Sequence, residues 1–530
     1  MHDYDYIIIG SGFGGAVSAL RLAEKGYSVL VVEKGKWYRA EDFPRNNRKL
    51  KKWLWMPALR FFGIMKITAF RHLFVLSGVG VGGGSLVYAN TLPVPKSRFF
   101  ESGSWKGLAP WEEELKPYYR KALKILGASR NPRFFDADKA LGQLAAELKL
   151  KEHFEAPFVS VYFGEEGRRV PDPYFGGEGP ERAGCRFCGA CMTGCRHEAK
   201  NSLDKNYLYL AQKRGARILA CHEVTDVKPL AEADGAGGYR IRMKESTTLW
   251  ARKKTFTARG VVFAGGVTGT VRLLLKLKKK SLPRLSERVG YDIRSNNETL
   301  VSVSTLDPGK DMSQGLAIGS ILHSDAHSHL EAVRYGPGSD AWKWLHLPYV
   351  PGKNFLWRLA GIFKAFFSAP GDYFRIYFRQ SWARKTTVLL FMQTLESTLR
   401  LTRSRSGRLV SRAKKGSGPT AFIPESQALT RKFSEIVNGK ATAMLSESLF
   451  GIPSTAHILG GAVMGADASR GVINKYNEVF GYKNMLVCDG SMISANPGVN
   501  PSLSITAIAE RAMDRIPEKK NAESLSRSEL

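Results

Sequence analysis

Tyr6-Ile7-Ile8-Ile9-Gly10-Ser11-Gly12-Phe13-Gly14-Gly15 is the stretch that decides the fold. A short unbroken apolar run that ends in glycine reads as a strand buried on both faces. The helix after it carries a small apolar face of Ala16, Ala19, Leu20 and Ala23, stops at Gly26, and leads into a second strand, Val29-Leu30-Val31-Val32. Gly10 permits the tight turn, Gly12 lets backbone approach a pyrophosphate, Gly14 belongs to the same turn, and Gly15 allows the helix to lie close to the sheet. Glu33, at the end of the second strand, is placed to accept hydrogen bonds from a ribose diol, and its charge disfavours a 2′-phosphate. The glycine turn alone would be a weak signal. Strand, turn, helix, strand and acid within about 35 residues predict a Rossmann unit holding the ADP end of a dinucleotide.

A second glycine passage, Gly78-Val79-Gly80-Val81-Gly82-Gly83-Gly84-Ser85, leads into Val87-Tyr88-Ala89-Asn90. Three successive glycines expose backbone N–H groups as an anion nest. Residues 217–263 alternate like a small β-meander, and Gly265-Gly266 returns the chain to a helix over Val271–Leu277. From about 298 the composition shifts to aromatics and strands, and glycine turns with a final amphipathic helix come back over 457–513. With 530 residues the chain exceeds one ordinary core. The expected class is therefore α/β. A Rossmann-type domain is assembled from 1–297, with a Cys-rich loop at 184–200, and from 456–530. A substrate-binding cap on an antiparallel sheet is expected over 298–455.

Hydrophobic content of 43% and charged content of 24% are those of a globular protein, and no apolar run is long enough to span a bilayer. The chain enters its first strand at once, without a charged leader and apolar h-region, which reads as cytoplasmic. Its net charge of +31 should attract anionic surfaces. Residues 43–100 contain no acid, while Arg45, Arg48, Lys49, Lys51 and Lys52 interleave with Trp53, Trp55, Phe61 and Phe62. Residues 341–385 repeat the recipe with one acid, Asp372. Two readings stand. One is a peripheral surface for an anionic membrane; the other is cavity-lining aromatics beneath a solvated basic face. Nucleic acid is set aside because no RNP, helix-turn-helix or zinc-finger pattern accompanies the charge.

Cys185-x2-Cys188-x2-Cys191-x3-Cys195 has ferredoxin spacing, although Arg196 stands where ferredoxins have proline. An iron–sulfur cluster, a structural zinc site and a loop of bare thiols are the three readings.

The glycine passage from Gly78 to Val87, with the stretch from Val472 to Ile516, resembles the glucose-methanol-choline (GMC) oxidoreductases, and within them the bacterial cholesterol oxidase branch. The likeness is dense over 5–100, 184–300 and 453–516. It implies FAD. On the family pattern Gly82, Gly83, Gly84, Ser85 and Asn90 carry the flavin phosphates and reach the ring, while Asp489 and Gly490 touch the ribityl and phosphate end. Val224 and Gly265 complete that set. The likeness further implies a catalytic histidine at His457, in Ala456-His457-Ile458-Leu459-Gly460-Gly461, and an active-site amide at Asn500. Histidine suits deprotonation of an alcohol near neutral pH, and an amide binds oxygen without changing charge. Glu331 is either a base lining the substrate cavity or an ordinary ion-paired carboxylate. Glu298, in Asn296-Asn297-Glu298, receives no role. The implied activity is oxidation of the CH–OH group of a hydrophobic, sterol-like alcohol by hydride transfer to flavin N5, with oxygen, a quinone or a protein as acceptor. The alternatives are a long-chain or polyprenyl alcohol dehydrogenase and an electron-transfer flavoprotein carrying an iron–sulfur cluster.

Overall fold

Tyr4–Ile9 lies at the centre of a seven-stranded sheet, flanked in parallel by Val29–Val32 and Lys253–Phe263. Ile7, Ile8 and Val31 are fully buried, as an apolar run between two helical layers requires. Arg217–Leu219 adds in parallel outside Val29–Val32, and Met485–Val487 adds in parallel beside Val261–Phe263. The parallel core is thus drawn from segments hundreds of residues apart. Tyr239–Glu245 and His222–Pro229 continue the sheet as an antiparallel meander, and the following helix runs Val267–Lys278. The computed structural model describes residues 2–413 and 418–519, so the last part of the 456–530 segment lies outside the described residues.

The helix Phe13–Glu24 starts from Gly12 without a side-chain cap, which leaves its first N–H groups free for an anion. The last helix, Ser502–Asp514, packs on it and is tied there by Glu510, which accepts from Arg21 Nε at 2.7 Å and Tyr207 Oη at 2.7 Å.

The second sheet also has seven strands, all antiparallel, in the order His346–Pro348, Gly439–Met444, Thr299–Thr305, Thr386–Gln393, Ser328–Val333, Ile318–Leu322, Phe154–Glu155. Thr386–Gln393 shows how it is built. Leu389 and Phe391 face the helices Asp136–Glu147 and Pro424–Ile436, while Val388, Leu390 and Met392 face the opposite side, the alternation of a strand buried on both faces. A Rossmann sheet from non-adjacent segments with an antiparallel-sheet cap is the class expected. Among the described residues no helix is long and apolar enough to cross a membrane.

Candidate active site

A cavity of about 570 Å³ runs from the glycine turn to the inner face of the cap sheet. Gly10, Gly12 and Gly14 line its far end, with Glu33, Gly83, Gly84, Val224, Gly265, Asp489 and Gly490. The glycines differ in what they make room for. A Cβ on Gly14 would stand 1.8 Å from Cys488 O, and one on Gly15 would stand 2.1 Å from Gly10 O, so these two let the helix seat on the sheet. A Cβ on Gly12 would meet no protein atom within 4 Å. Gly12 therefore keeps open the cradle itself.

The two glycine loops abut: a Cβ on Gly83 would come within 2.6 Å of Gly12 Cα. Ser11 couples them, its Oγ donating to Glu33 Oε2 at 2.9 Å and accepting from Gly82 N at 3.1 Å. Asp489 Oδ2 accepts from Gly266 N at 2.9 Å, and burial pushes this carboxyl above its ordinary pKa against the hydrogen bonds from Ser491 and Thr270. Lys34, Arg272 and Lys276 also reach the wall. Arg272 and Lys276 are one turn apart on the helix Val267–Lys278, a spacing that was available in the sequence. Free helix N–H groups, an open glycine cradle and three cations suit the diphosphate of a dinucleotide.

Some residues expected in this set are elsewhere. Gly15 and Gly82 are packed behind the wall. Ser85 Oγ donates to Gly82 O and accepts from Leu203 N, a brace rather than a ligand contact. Asn90 is fully buried, in the left-handed region at φ 72°, and faces a separate small cavity among the cysteines.

That second cavity, about 20 Å³, is lined by Cys185, Cys188, Cys191 and Cys195. The thiols are free, and burial pushes Cys185 up and Cys191 to about 11. Among the described residues no group of three or more His, Cys, Asp or Glu side chains is disposed to hold a metal ion. Room for about one water does not accommodate a cubane cluster. The ferredoxin spacing is thus not matched by a metal-binding arrangement. What the loop does show is a tether. Lys200 Nζ, its pKa drawn down to about 8 by burial, donates to Leu86 O, Tyr88 O and Cys191 O at 2.9–3.1 Å and ties the loop to the chain after the second glycine passage.

The wall also has an apolar part, with Met65, Leu76, Leu300, Val333, Val388 and Leu390, and His457 and Asn500 line the same cavity. His457 Nδ1 lies 2.6 Å from Glu298 Oε2, and the other carboxylate oxygen accepts from Ala456 N at 2.9 Å. Both carboxylate oxygens are acceptors, so the imidazole proton sits on Nδ1 and leaves Nε2 as the basic nitrogen. Burial pulls the His457 pKa down. The Glu298 charge and hydrogen bond, with Glu331 behind, outweigh it, and the net shift is upward. Glu298 is the residue whose position the sequence did not reveal: it precedes the strand Thr299–Thr305, whereas His457 follows a short strand much later.

Asn500 Nδ2 donates to Glu331 Oε2 at 3.3 Å, leaving Asn500 Oδ1 without a partner. Glu331 itself is fully buried between His329 and Asn500 and is not on the cavity wall, in contrast to the expected cavity-lining base. On its strand Glu331 alternates with Leu330 and Ala332, which face the helices, so its side chain points to the same face as Val333 and lies opposite Leu390, and there Asn500 takes up its carboxylate.

Comparison with known proteins identifies the family. The FAD dependent oxidoreductase family matches residues 5–311, and the GMC oxidoreductase family matches residues 373–509. A cholesterol oxidase of Acinetobacter baumannii is 42% identical, over 98% of this chain and 96% of that protein. A cholesterol oxidase of Mycobacterium tuberculosis is 43% identical, over 98% and 92%. The crystal structure of pyridoxine 4-oxidase from Mesorbium loti superposes with a TM-score of 0.60 at 14% identity, covering 98% of this chain and all of that one, a likeness of fold alone. Identity above 40% across nearly the whole of both chains places this protein among the GMC oxidoreductases, enzymes that use FAD.

Proposed function

We propose that this enzyme oxidises a hydroxyl of a hydrophobic, sterol-like alcohol. The observation that carries the reading is the meeting of His457 and Asn500 with an apolar pocket at the end of a dinucleotide cleft. Similarity to two cholesterol oxidases supports the sterol class, and their activity as oxidases supports oxygen as acceptor. FAD, when bound along the glycine loops, supplies the hydride acceptor. The chain's own residues do the rest. His457 Nε2 takes the hydroxyl proton, Glu298 holds the tautomer that makes this nitrogen the base, and Asn500 offers Oδ1 to a donor brought by the ligand while Glu331 fixes its amide. The apolar wall excludes water from the reacting carbon.

The reading includes peripheral work on the cytoplasmic face of an anionic membrane, where such alcohols reside. The test is anaerobic reduction of the bound flavin, followed by bleaching, across a panel of sterols and long-chain alcohols. Sterols should bleach wild type rapidly, and His457→Ala should slow this by at least about a hundredfold. Preferential bleaching by long-chain alcohols would replace the substrate class, and unchanged bleaching in His457→Ala would remove the assigned base.

A further inference from the structure

The helix Phe355–Ser368 has two apolar faces, only one of which the fold uses. Its inner face buries Ile362, and its Ala365 and Phe366 pack on the cluster that also contains the cavity-wall residues Met65, Ile318, Val333, Val388 and Leu390. The opposite stripe, Leu356, Ala360, Phe363 and Phe367 at three- and four-residue spacing, stands in solvent; Phe367 is 81% exposed and Leu356 72%. The chain then adds Phe374 and Phe378, whose rings lie 5.3 Å apart, and Trp344 meets Phe378 edge-to-face at 5.7 Å. Large apolar side chains exposed side by side in this way are not ordinary surface.

Its charge is one-sided. Lys343 Nζ sits 5.3 Å over the Trp344 ring and the Arg379 guanidinium 5.7 Å over the Phe374 ring, with Lys353, Lys364 and Arg375 in the same segment. The one acid of residues 341–385, Asp372, is paired with Lys440 at 3.2 Å. The acid-free basic stretch 43–100 joins this region: Trp53 packs on Trp342 at 5.4 Å, and Asn47 bonds both Ser339 O and Ala341 N.

We propose that the outer face of Phe355–Ser368 and the adjoining aromatics through Phe378 are a docking surface for an anionic lipid bilayer, set over the apolar end of the substrate cavity. Exposed rings enter the headgroup boundary, flanking cations meet anionic lipid, and the inner face of the same helix packs on the cluster that supplies part of the apolar cavity wall. A second copy of the chain is a poor occupant, because two cationic rims would face each other. The inference deepens the membrane part of the proposed function and says where the contact is made.

The experiment uses the full-length holoenzyme and sedimentation with phosphatidylcholine vesicles that contain or lack phosphatidylglycerol. Binding should require phosphatidylglycerol, weaken with salt, and drop at least about tenfold in the double variant Phe363→Asp with Phe367→Asp. Trp250→Asp is the control, since its indole is 92% exposed on a distant turn of the meander; it should bind as wild type. All variants should oxidise detergent-dispersed alcohol alike. No binding at low salt, unchanged binding by the double variant, equal loss in Trp250→Asp, or a dimer that the double variant dissociates would each overturn the proposal. Vesicle binding without oxidation of any dispersed sterol would leave docking standing and remove the sterol reading.

Discussion

Replacing Glu298 by Gln removes a negative charge held 2.6 Å from His457 Nδ1 while keeping an oxygen that can accept the same proton. The glutamate side chain is 1% exposed and the histidine side chain 11%, so solvent does little to screen the pair. An opposite charge at this range raises a histidine pKa by about 1–3 units, and each unit is about 1.4 kcal/mol of differential interaction. In wild type the net shift is already upward, so the basic form of His457 becomes populated only as pH rises through a value above the ordinary imidazole pKa. The acidic limb of kcat/KM for anaerobic flavin reduction should report that value. In Glu298→Gln the limb should move to lower pH by about 1–2 units, and the plateau should fall about tenfold because the remaining base is weaker. Stability follows the same linkage. The pair's contribution is complete below the ordinary imidazole pKa and is lost as pH rises through the raised one. A limb that stays in place, or moves upward, would refute the assignment of Glu298 as the group that sets the base.

Gly12→Ala and Gly14→Ala separate cofactor contact from packing. The first should fold with near wild-type stability but carry at least about tenfold weaker FAD, whereas the second, with Cys488 O in the way, should lose about 2 kcal/mol or more in thermal or denaturant unfolding. Burial raises the Glu447 pKa to about 8 against the hydrogen bonds from Ser454, so its contribution to stability is complete below the ordinary carboxyl range and lost as pH rises to about 8. Glu447→Gln should therefore lose less Tm than wild type between about pH 5 and pH 8 in paired melts. Elemental analysis of anaerobically purified protein should find no stoichiometric iron or zinc, and one equivalent of either would restore a metal role for the cysteines.

Signals that live within a few turns of chain were legible from the start. The run Tyr6–Ile9, the glycines after it and Glu33 specify a strand, a turn and an uncapped helix through backbone sterics and hydrogen bonding among neighbours. The segments around His457 and Asn500 carry the family likeness for the same reason: tight turns beside a ligand tolerate few residue types. These local patterns were enough for the Rossmann class, the FAD requirement and the oxidoreductase family. What lay beyond them depended on which segments meet. Ferredoxin spacing in Cys185–Cys195 says how thiols follow one another along the chain, whereas the folded loop leaves them around a space fit for one water. Alternation within Ser328–Val333 puts Glu331 on one face of its strand but could not say that Asn500 takes up its carboxylate, because that partner comes from the chain around residue 500. Glu298 meets His457, and Trp53 meets Trp342, through side-chain contacts between segments distant in sequence. Periodicity and turn chemistry act between near neighbours, so the sequence alone was sufficient for the cofactor and the family. The tautomer of the base and the single cationic aromatic face arise from long-range contacts, which exist only once the chain has closed on itself.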